Sequence, residues 1–357
     1  MVTKQNLLII TPKYLDKNSS AGDYRVYSLI KNLHKYFNIC LMVTDTSSKL
    51  KDKSLNRYIK SYLKKTSSIT TFKKYLKEYK IDYCLFERYS NLSFDLYNFI
   101  PLTKSIIDIH EIGFIKTLEF SKIQKIDDYY NKVFKAKELL FYQNAKLLIC
   151  ISEKEKEILK NYFPNKQIIV VPTCTEIHKV KNDFNQRKDI CFLGSFKYLP
   201  NVDAVKYFAE KIFPKLNSSF PDMKFYVLGS DSSMFENKYK NVFTKENIKN
   251  ICKELSKYKL FVCPLRYGAG LKKKTLDAMA SKTPVVSTKF GVEGIKNLEN
   301  KYVSSQTEFI NEIKSLYTNK KLWNKQAVNN FNIVNKYYSQ NKFSKYLSVL
   351  LEQLSCI

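Results

Sequence analysis

Short apolar or β-branched runs alternate along the whole chain with longer stretches whose apolar residues recur every three or four positions. The runs are Leu7–Ile10, Ile39–Val43, Asp82–Phe86, Ile106–Ile109, Leu147–Ile151 and Ile168–Val171, then Ile190–Leu193, Lys224–Leu228, Asn241–Phe243, Leu260–Cys263 and Pro284–Ser287. Between them, Val26, Leu29, Ile30, Leu33 and Phe37, or Val205, Phe208, Ile212 and Leu216, repeat at the i, i+3/i+4, i+7 spacing of a helix packed on a sheet. Near-continuous apolar strands alternating with helices predict parallel sheets covered on both faces. Such a set divides better into two sheets of five or six strands than into one. The expected fold is α/β: two Rossmann-like, doubly wound domains facing each other across a cleft. The join is expected at the polar stretch Thr173–Arg187, after the last apolar strand ends at Pro172. Ligands of such sheets sit outside the carboxyl ends of the strands, so residues just after each strand are the ones to inspect.

Composition narrows the class. With 357 residues and 44% hydrophobic side chains, a disordered tail, a collagen and a small disulfide scaffold are excluded. No apolar run approaches the roughly 18–20 residues that span a bilayer. Leu7–Ile10 ends at Thr11-Pro12 and reads as a strand, not a signal peptide. Eight cysteines without a CxxC pair, mostly inside apolar runs, read as buried thiols of a reducing cytosol. Three scattered histidines suggest no metal site.

Charge adds a partner. Lys and Arg number 61 against 33 Asp and Glu, a net +28. Residues 1–176 carry 30 basic and 18 acidic side chains, and the remainder 31 and 15. An excess spread over both halves is not the clustered footprint of a nucleic-acid binder, but it attracts anionic lipid. Lys49–Lys80 holds eleven basic and two acidic residues, with Leu55, Ile59, Tyr62 and Leu63 at helical spacing. It reads either as a solvated helix face or as a basic amphipathic helix on an anionic membrane.

Glycine is scarce, eight in 357, and nearly every one falls at a strand's carboxyl end. Gly22, Gly113, Gly194 and Gly229 follow strands, and four more lie between 268 and 294. The densest signal is Cys263-Pro-Leu-Arg-Tyr-Gly-Ala-Gly-Leu-Lys-Lys-Lys-Thr-Leu-Asp-Ala-Met-Ala280, followed by Pro284-Val-Val-Ser-Thr288 and Gly291-Val-Glu-Gly-Ile295. It predicts a strand, a turn through Gly268 and Gly270, a helix starting near Lys273, and another strand. A helix N-terminus flanked by Arg266, Lys272 and Lys274 makes a diphosphate-sized anion site. Asp277, one turn in, has the geometry to accept two hydrogen bonds from a ribose diol, and Glu293 lies in a Gly-flanked loop as a further donor contact. Taken alone, the lysine-rich turn reads equally as plain surface. There is no GxxxxGK[ST] and no GxGxxG opening the first helix.

The segment 263–295 resembles the nucleotide-sugar signature of retaining GT-B glycosyltransferases of the glycosyltransferase 4 group, also called glycosyl transferases group 1. Phe192-Leu-Gly-Ser-Phe-Lys-Tyr-Leu-Pro-Asn-Val-Asp-Ala-Val205 and Lys224-Phe-Tyr-Val-Leu-Gly229 resemble its donor domain. Ala21-Gly-Asp-Tyr-Arg25, Ile107-Asp-Ile-His-Glu111 and Cys150-Ile-Ser-Glu-Lys-Glu155 fall in family order in the first half. The resemblance spans essentially the whole chain. It implies a GT-B fold, with an acceptor-side domain over 1–176, a donor domain over 177–336 and a C-terminal helix (337–357) returning to the first. It also implies that Lys272 and Arg266 bind the diphosphate, with Gly194, Lys197, Gly268, Gly270 and Lys274 around the donor. Asp277 would take the ribose and His110 the transferred sugar, and Gly22 would let backbone approach phosphate or acceptor. Asp277 and Ala269 stand where the family usually carries Glu.

The implied activity is metal-independent, retaining transfer from a nucleotide-sugar substrate, UDP- or GDP-linked, to a glycan or lipid-linked acceptor. No separate cofactor is implied. The setting is cytoplasmic and peripheral on the inner membrane face, with no nucleic-acid partner. Two other readings stay open: a catalytically weak GT-B subunit partnering an active transferase, and a GT-B sugar-nucleotide epimerase.

Overall fold

Parallel strands carry both halves of the chain. The computed structural model describes residues 4–12, 20–44, 53–63, 68–87, 104–124, 129–178, 180, 183–298 and 301–355. They divide into two compact units, Met1–Pro172 with Ser344–Ile357, and Thr173–Phe343. In the first unit the strands are β1 (Asn6–Thr11), β2 (Asn38–Val43), β3 (Ile59–Leu63), β4 (Tyr83–Glu87), β5 (Ser105–Asp108), β6 (Leu147–Cys150) and β7 (Gln167–Val170). They lie in the order β3-β2-β1-β4-β5-β6-β7. The second unit has β8 (Lys188–Leu193), β9 (Phe225–Leu228), β10 (Val242–Lys245), β11 (Tyr258–Cys263) and β12 (Val285–Ser287), in the order β10-β9-β8-β11-β12. Every pairing is parallel. The alternating pattern thus gave two Rossmann-like units, with sheets of seven and five strands where five or six each were expected.

The additional strand, β3, corrects the reading of Lys49–Lys80 as a helix. Ile59 and Leu63 are buried while Lys60 and Tyr62 are exposed, and Ile39 and Met42 of β2 pair with Ile59 and Leu63. A spacing of four satisfies both the helical period and the two-residue period of a strand, so Leu55, Ile59 and Leu63 alone cannot separate them. The edge of a parallel sheet decided it. A helix does follow at Ile69–Glu78, but its Phe72 is in the core and Lys73, Lys74 and Lys77 point to water. Residues 49–52 and 64–67 of that segment lie outside the described residues.

In the second unit the expected helix stripe Val205, Phe208, Ile212 and Leu216 is buried throughout. It runs through three pieces: an α-helix Leu199–Tyr207, a π turn Phe208–Ile212 and an α-helix Phe213–Ser219. Pro214 offers no N–H and crowds the preceding turn. The chain accommodates it by widening to an i→i−5 bond, Phe213 N–H to Phe208 O. Seven of the eight cysteines are free and buried; Cys356 lies outside the described residues. The helix Gln340–Ser355 ends against the first unit, where Tyr83 Oη donates to Leu354 O at 3.1 Å and Gln167 bonds Gln353. No helix among the described residues is long and apolar enough to cross a membrane.

Two glycines let the carboxyl ends of β8 and β9 close up. Gly229 has φ +119°, and a Cβ there would land on the Gly194 carbonyl oxygen. Gly229→Ala should cost on the order of 2–3 kcal/mol or more through strain and clash, read as a lowered urea midpoint.

Candidate active site

In both sheets the strand order reverses beside the first strand of the unit, between β8 and β11 in the second and between β1 and β4 in the first. At such a switch the neighbouring connections leave in opposite directions and open a crevice at the strands' carboxyl ends.

In the second unit the loop after β8 carries Gly194 and the exposed Lys197, and the loop after β11 carries Arg266 to Lys272. Gly194 has no Cβ because Asn201 Nδ2 would sit 2.6 Å from one. That gap lets Asn201 donate to Ser195 O at 2.8 Å while its Oδ1 accepts a bond from Lys274 Nζ. Gly268 (φ +137°) and Gly270 (φ +74°) turn the chain through the left-handed region, and the helix Lys273–Ala280 starts without a side-chain cap. Lys272 is buried and folds back over the turn, donating to Ala269 O at 2.7 Å and Gly270 O at 2.6 Å. Gly291 is packed against Cys263 and Ser287 so closely that no side chain fits. Its carbonyl accepts from Thr275 Oγ1 at 2.7 Å, which brings Glu293 to 3.9 Å from Lys272 Nζ.

The remaining expected residues are placed differently from a bare ligand cradle. Arg266 is turned to Asp203 on the helix Leu199–Tyr207, Nε to Oδ2 at 2.9 Å with a second bond from Nη2, and lies over the Tyr207 ring. Asp277 is buried, with Thr175 Oγ1 at 2.5 Å and Lys273 Nζ at 2.6 and 2.8 Å. A ribose would have to share that carboxylate with both. Burial pulls Lys274 down to about 8; nearby Cys263 pushes the other way and the Lys272 charge adds to the fall. Thr175, Lys273, Asn201 and Asp203 were not singled out from the sequence, although Asn201 and Asp203 stand in the Pro-Asn-Val-Asp run after Gly194.

The first unit gathers a second polar cluster, with Gly22 in the first turn of the helix Ala21–Leu33 and His110 just beyond β5. Arg25 and Asp108 form a buried bidentate pair, Nε–Oδ2 2.8 Å and Nη2–Oδ1 2.5 Å, and Arg25 Nη1 also donates to Val171 O at 2.8 Å. Burial alone would raise the Asp108 carboxyl, but Arg25 and then His110 outweigh it and hold it well below the usual carboxylate range. His110 Nε2 lies 3.0 Å from the same Asp108, and Nδ1 lies 3.7 Å from Glu87, which accepts from Thr11 Oγ1. Its ring is therefore set by two carboxylates at the ends of neighbouring strands. Glu111 pairs with Lys116. The N–H groups of Gly113 and Phe114, at the next helix start, are taken by Glu138 at 2.9 and 2.8 Å.

Residues 187–319 match the family model described as glycosyl transferases group 1. A curated relative, an uncharacterized 44.6 kDa protein in the cps region of Klebsiella pneumoniae, is 24% identical over 60% of this chain and 59% of its own. Among solved structures, a glycosyltransferase from Rickettsia africae ESF-5 superposes with TM-score 0.69 at 13% identity, over 99% of both chains. TarM of S. aureus, solved with fondaparinux, alpha-GlcNAc-glycerol and UDP, gives TM-score 0.60 at 19% identity over 79% of this chain and 58% of its own. The chain thus spans about three fifths of the length of the Klebsiella relative and of TarM. The fold is that of the GT-B glycosyltransferases. Through residues 187–319 the chain is similar to the glycosyl transferases group 1 family.

Removing one partner of the Arg25–Asp108 pair leaves a buried charge uncompensated. Arg25→Ala should therefore lower stability by about 3–5 kcal/mol in chemical denaturation. The double change Arg25→Met with Asp108→Leu should recover most of that loss.

Proposed function

We propose that this chain is a metal-independent, retaining glycosyltransferase that moves a sugar from a UDP- or GDP-linked donor to a glycan or lipid-linked acceptor. It would work on the cytoplasmic side, in contact with an anionic membrane surface. The observation that carries the reading is the Gly268–Gly270 turn: two left-handed glycines, an uncapped helix start, and the amines of Lys272 and Lys274 within one short segment. A nucleotide-sugar already carries a good leaving group, so the enzyme's main task is to hold both substrates and neutralise charge growing on the departing diphosphate. In this reading Lys272 leaves the two carbonyls it now covers and meets the diphosphate, with Lys274 beside it. Gly268 and Gly270 let backbone come close, and Arg266 adds a third cation when it exchanges Asp203 for phosphate. Asp277 would hold the ribose and Glu293 the sugar end of the donor. His110, fixed by Asp108 and Glu87, is assigned to the transferred sugar. Asp108 is committed to Arg25 and is not the nucleophile; the departing phosphate oxygen would assist acceptor deprotonation on the same face, which gives retention. UDP in the TarM structure supports this class of donor.

A second reading has its own observation. Asp277 is bonded by Thr175 and Lys273, and Ala269 replaces the usual Glu, which favours a catalytically weak subunit partnering an active transferase. Sugar transfer by the isolated chain excludes it, and a thermal-shift screen of UDP-, GDP-, ADP- and CMP-sugars with and without EDTA identifies the donor.

Lys272→Ala should weaken UDP or GDP binding by about 10- to 100-fold, the worth of a charge-assisted hydrogen bond, with the melting temperature little changed. Calorimetry showing unchanged affinity would remove Lys272 from the phosphate site.

The lowered Lys274 sets a pH dependence. A bound diphosphate favours the charged amine and raises its pKa, so binding takes up a proton between that value and the free one. Affinity should be level below pH 7.5 and fall as pH rises past 8, by at most about tenfold per unit for one proton. Lys274→Arg, charged throughout, should flatten the profile.

A further inference from the structure

The helix Tyr129–Gln143 carries apolar side chains on its outward face as well as its inward one. An amphipathic helix ordinarily turns its apolar stripe to the core and its polar side chains to water. Here the buried positions are mixed, Phe141 and Tyr142 in the core with Asn131 and Glu138 beside them. Asn131 bonds Thr117, and Glu138 caps Gly113 and Phe114 and accepts from Tyr142 Oη at 2.6 Å. The outward positions are Tyr129 (63% exposed), Tyr130 (80%), Val133 (39%) and Leu140 (46%), with Ala136 among them. Tyr129, Val133, Ala136 and Leu140 follow the 4-3-4 spacing of one helix face. Lys132 and Lys137 are exposed beside this stripe. Lys135 leans over the rings of Phe114 and Tyr162. The helix's one carboxylate, Glu138, is turned inward; Asp127 and Asp128, just before it in the chain, lie outside the described residues.

We propose that this face of the helix is the surface by which the protein docks on an anionic lipid bilayer, lying in the plane of the headgroups. Tyrosine suits that depth because its ring is apolar and its hydroxyl stays wet, and the lysines snorkel to phosphates. At 15 residues, roughly 22 Å, the helix can lie on a bilayer but not cross it. Charge selects lipid over a second copy of the chain. A two-fold interface through this face would set Lys132 and Lys137 of one copy near those of the other, on a protein already at +28; an anionic membrane neutralises them instead. Helix Ile69–Glu78, in the lysine-rich segment, lacks such a stripe: its exposed side chains are Ile69 and Thr70 at one end and otherwise Lys73, Lys74, Lys77 and Glu78. The inference refines the membrane part of the function proposed above and is independent of its donor.

The test is co-flotation of the full chain with vesicles of phosphatidylcholine alone or with one quarter phosphatidylglycerol. Wild type should float with the anionic vesicles and remain behind with the neutral ones. The triple change Tyr130→Ser, Val133→Ser, Leu140→Ser should lower partitioning at least about tenfold. Lys132→Gln with Lys137→Gln should lower it about twentyfold at low salt, whereas Lys73→Gln with Lys74→Gln should change it less than threefold. The thermal shift given by UDP checks that each variant is folded, and its absence in wild type would count against the donor reading while leaving this one standing. Wild type that ignores anionic vesicles overturns both the docking surface and the membrane setting. Triple-variant binding equal to wild type overturns the docking surface alone. So does a wild-type dimer in solution that the triple change dissociates, which would make the face a self-interface.

Discussion

Of four positive charges within nine residues, the exposed Arg266 can face water, but Lys272, Lys273 and Lys274 can be packed against the end of a sheet only if each finds oxygen inside the unit. Lys272 finds the carbonyls of Ala269 and Gly270, Lys273 finds Asp277, Lys274 finds Asn201 and Arg266 finds Asp203. Without those oxygens the three lysines would repel one another in surroundings too dry to screen them well. The glycines serve the same end. Gly194 gives way to Asn201, and Gly268 and Gly270 bend the chain so that its carbonyls come under an amine. The segment therefore holds Lys272 and Lys274 against neutral oxygens and Lys273 and Arg266 against carboxylates. For an anion to take up these cations it would have to displace neutral carbonyls from Lys272 but a carboxylate from Arg266, so the two would not be equally easy to recruit.

The first unit solves a related problem with the opposite sign. Three strand ends bring Thr11, Glu87 and Asp108 side by side, and two buried carboxylates so close need positive or donating neighbours. Arg25 takes Asp108 from the helix side, His110 reaches toward both, and Thr11 donates to Glu87. The imidazole is thus oriented by strand register, which a loop alone could not hold so tightly.

Much of the fold was legible because fully buried parallel strands leave unbroken apolar runs, and both sheets were found from these. What escaped was β3, where Ile59 and Leu63 lie four apart and the lysines of an edge strand look like a helix face. The glycine turn was legible for a similar reason: in a chain with eight glycines, two separated by one residue mark a backbone that only glycine permits. The partners of its cations were not legible. Thr175 lies 102 residues from Asp277 and Asn201 lies 73 from Lys274, and nothing in local spacing announces such meetings. The outward apolar stripe of Tyr129–Gln143 was hidden too, because periodicity tells that a helix is two-faced but not which face meets the core.

The helix Gln340–Ser355 has a consequence for synthesis. Its last turns complete the first unit, touching Tyr83 and Gln167, yet they leave the ribosome about 180 residues after β7. Domains tend to fold in the order they emerge. The second unit, contiguous from Thr173 to Phe343, is whole before the first one is. A nascent chain paused anywhere in that interval carries an earlier half that still waits for its last piece, and it is there that a chaperone would find apolar surface to hold.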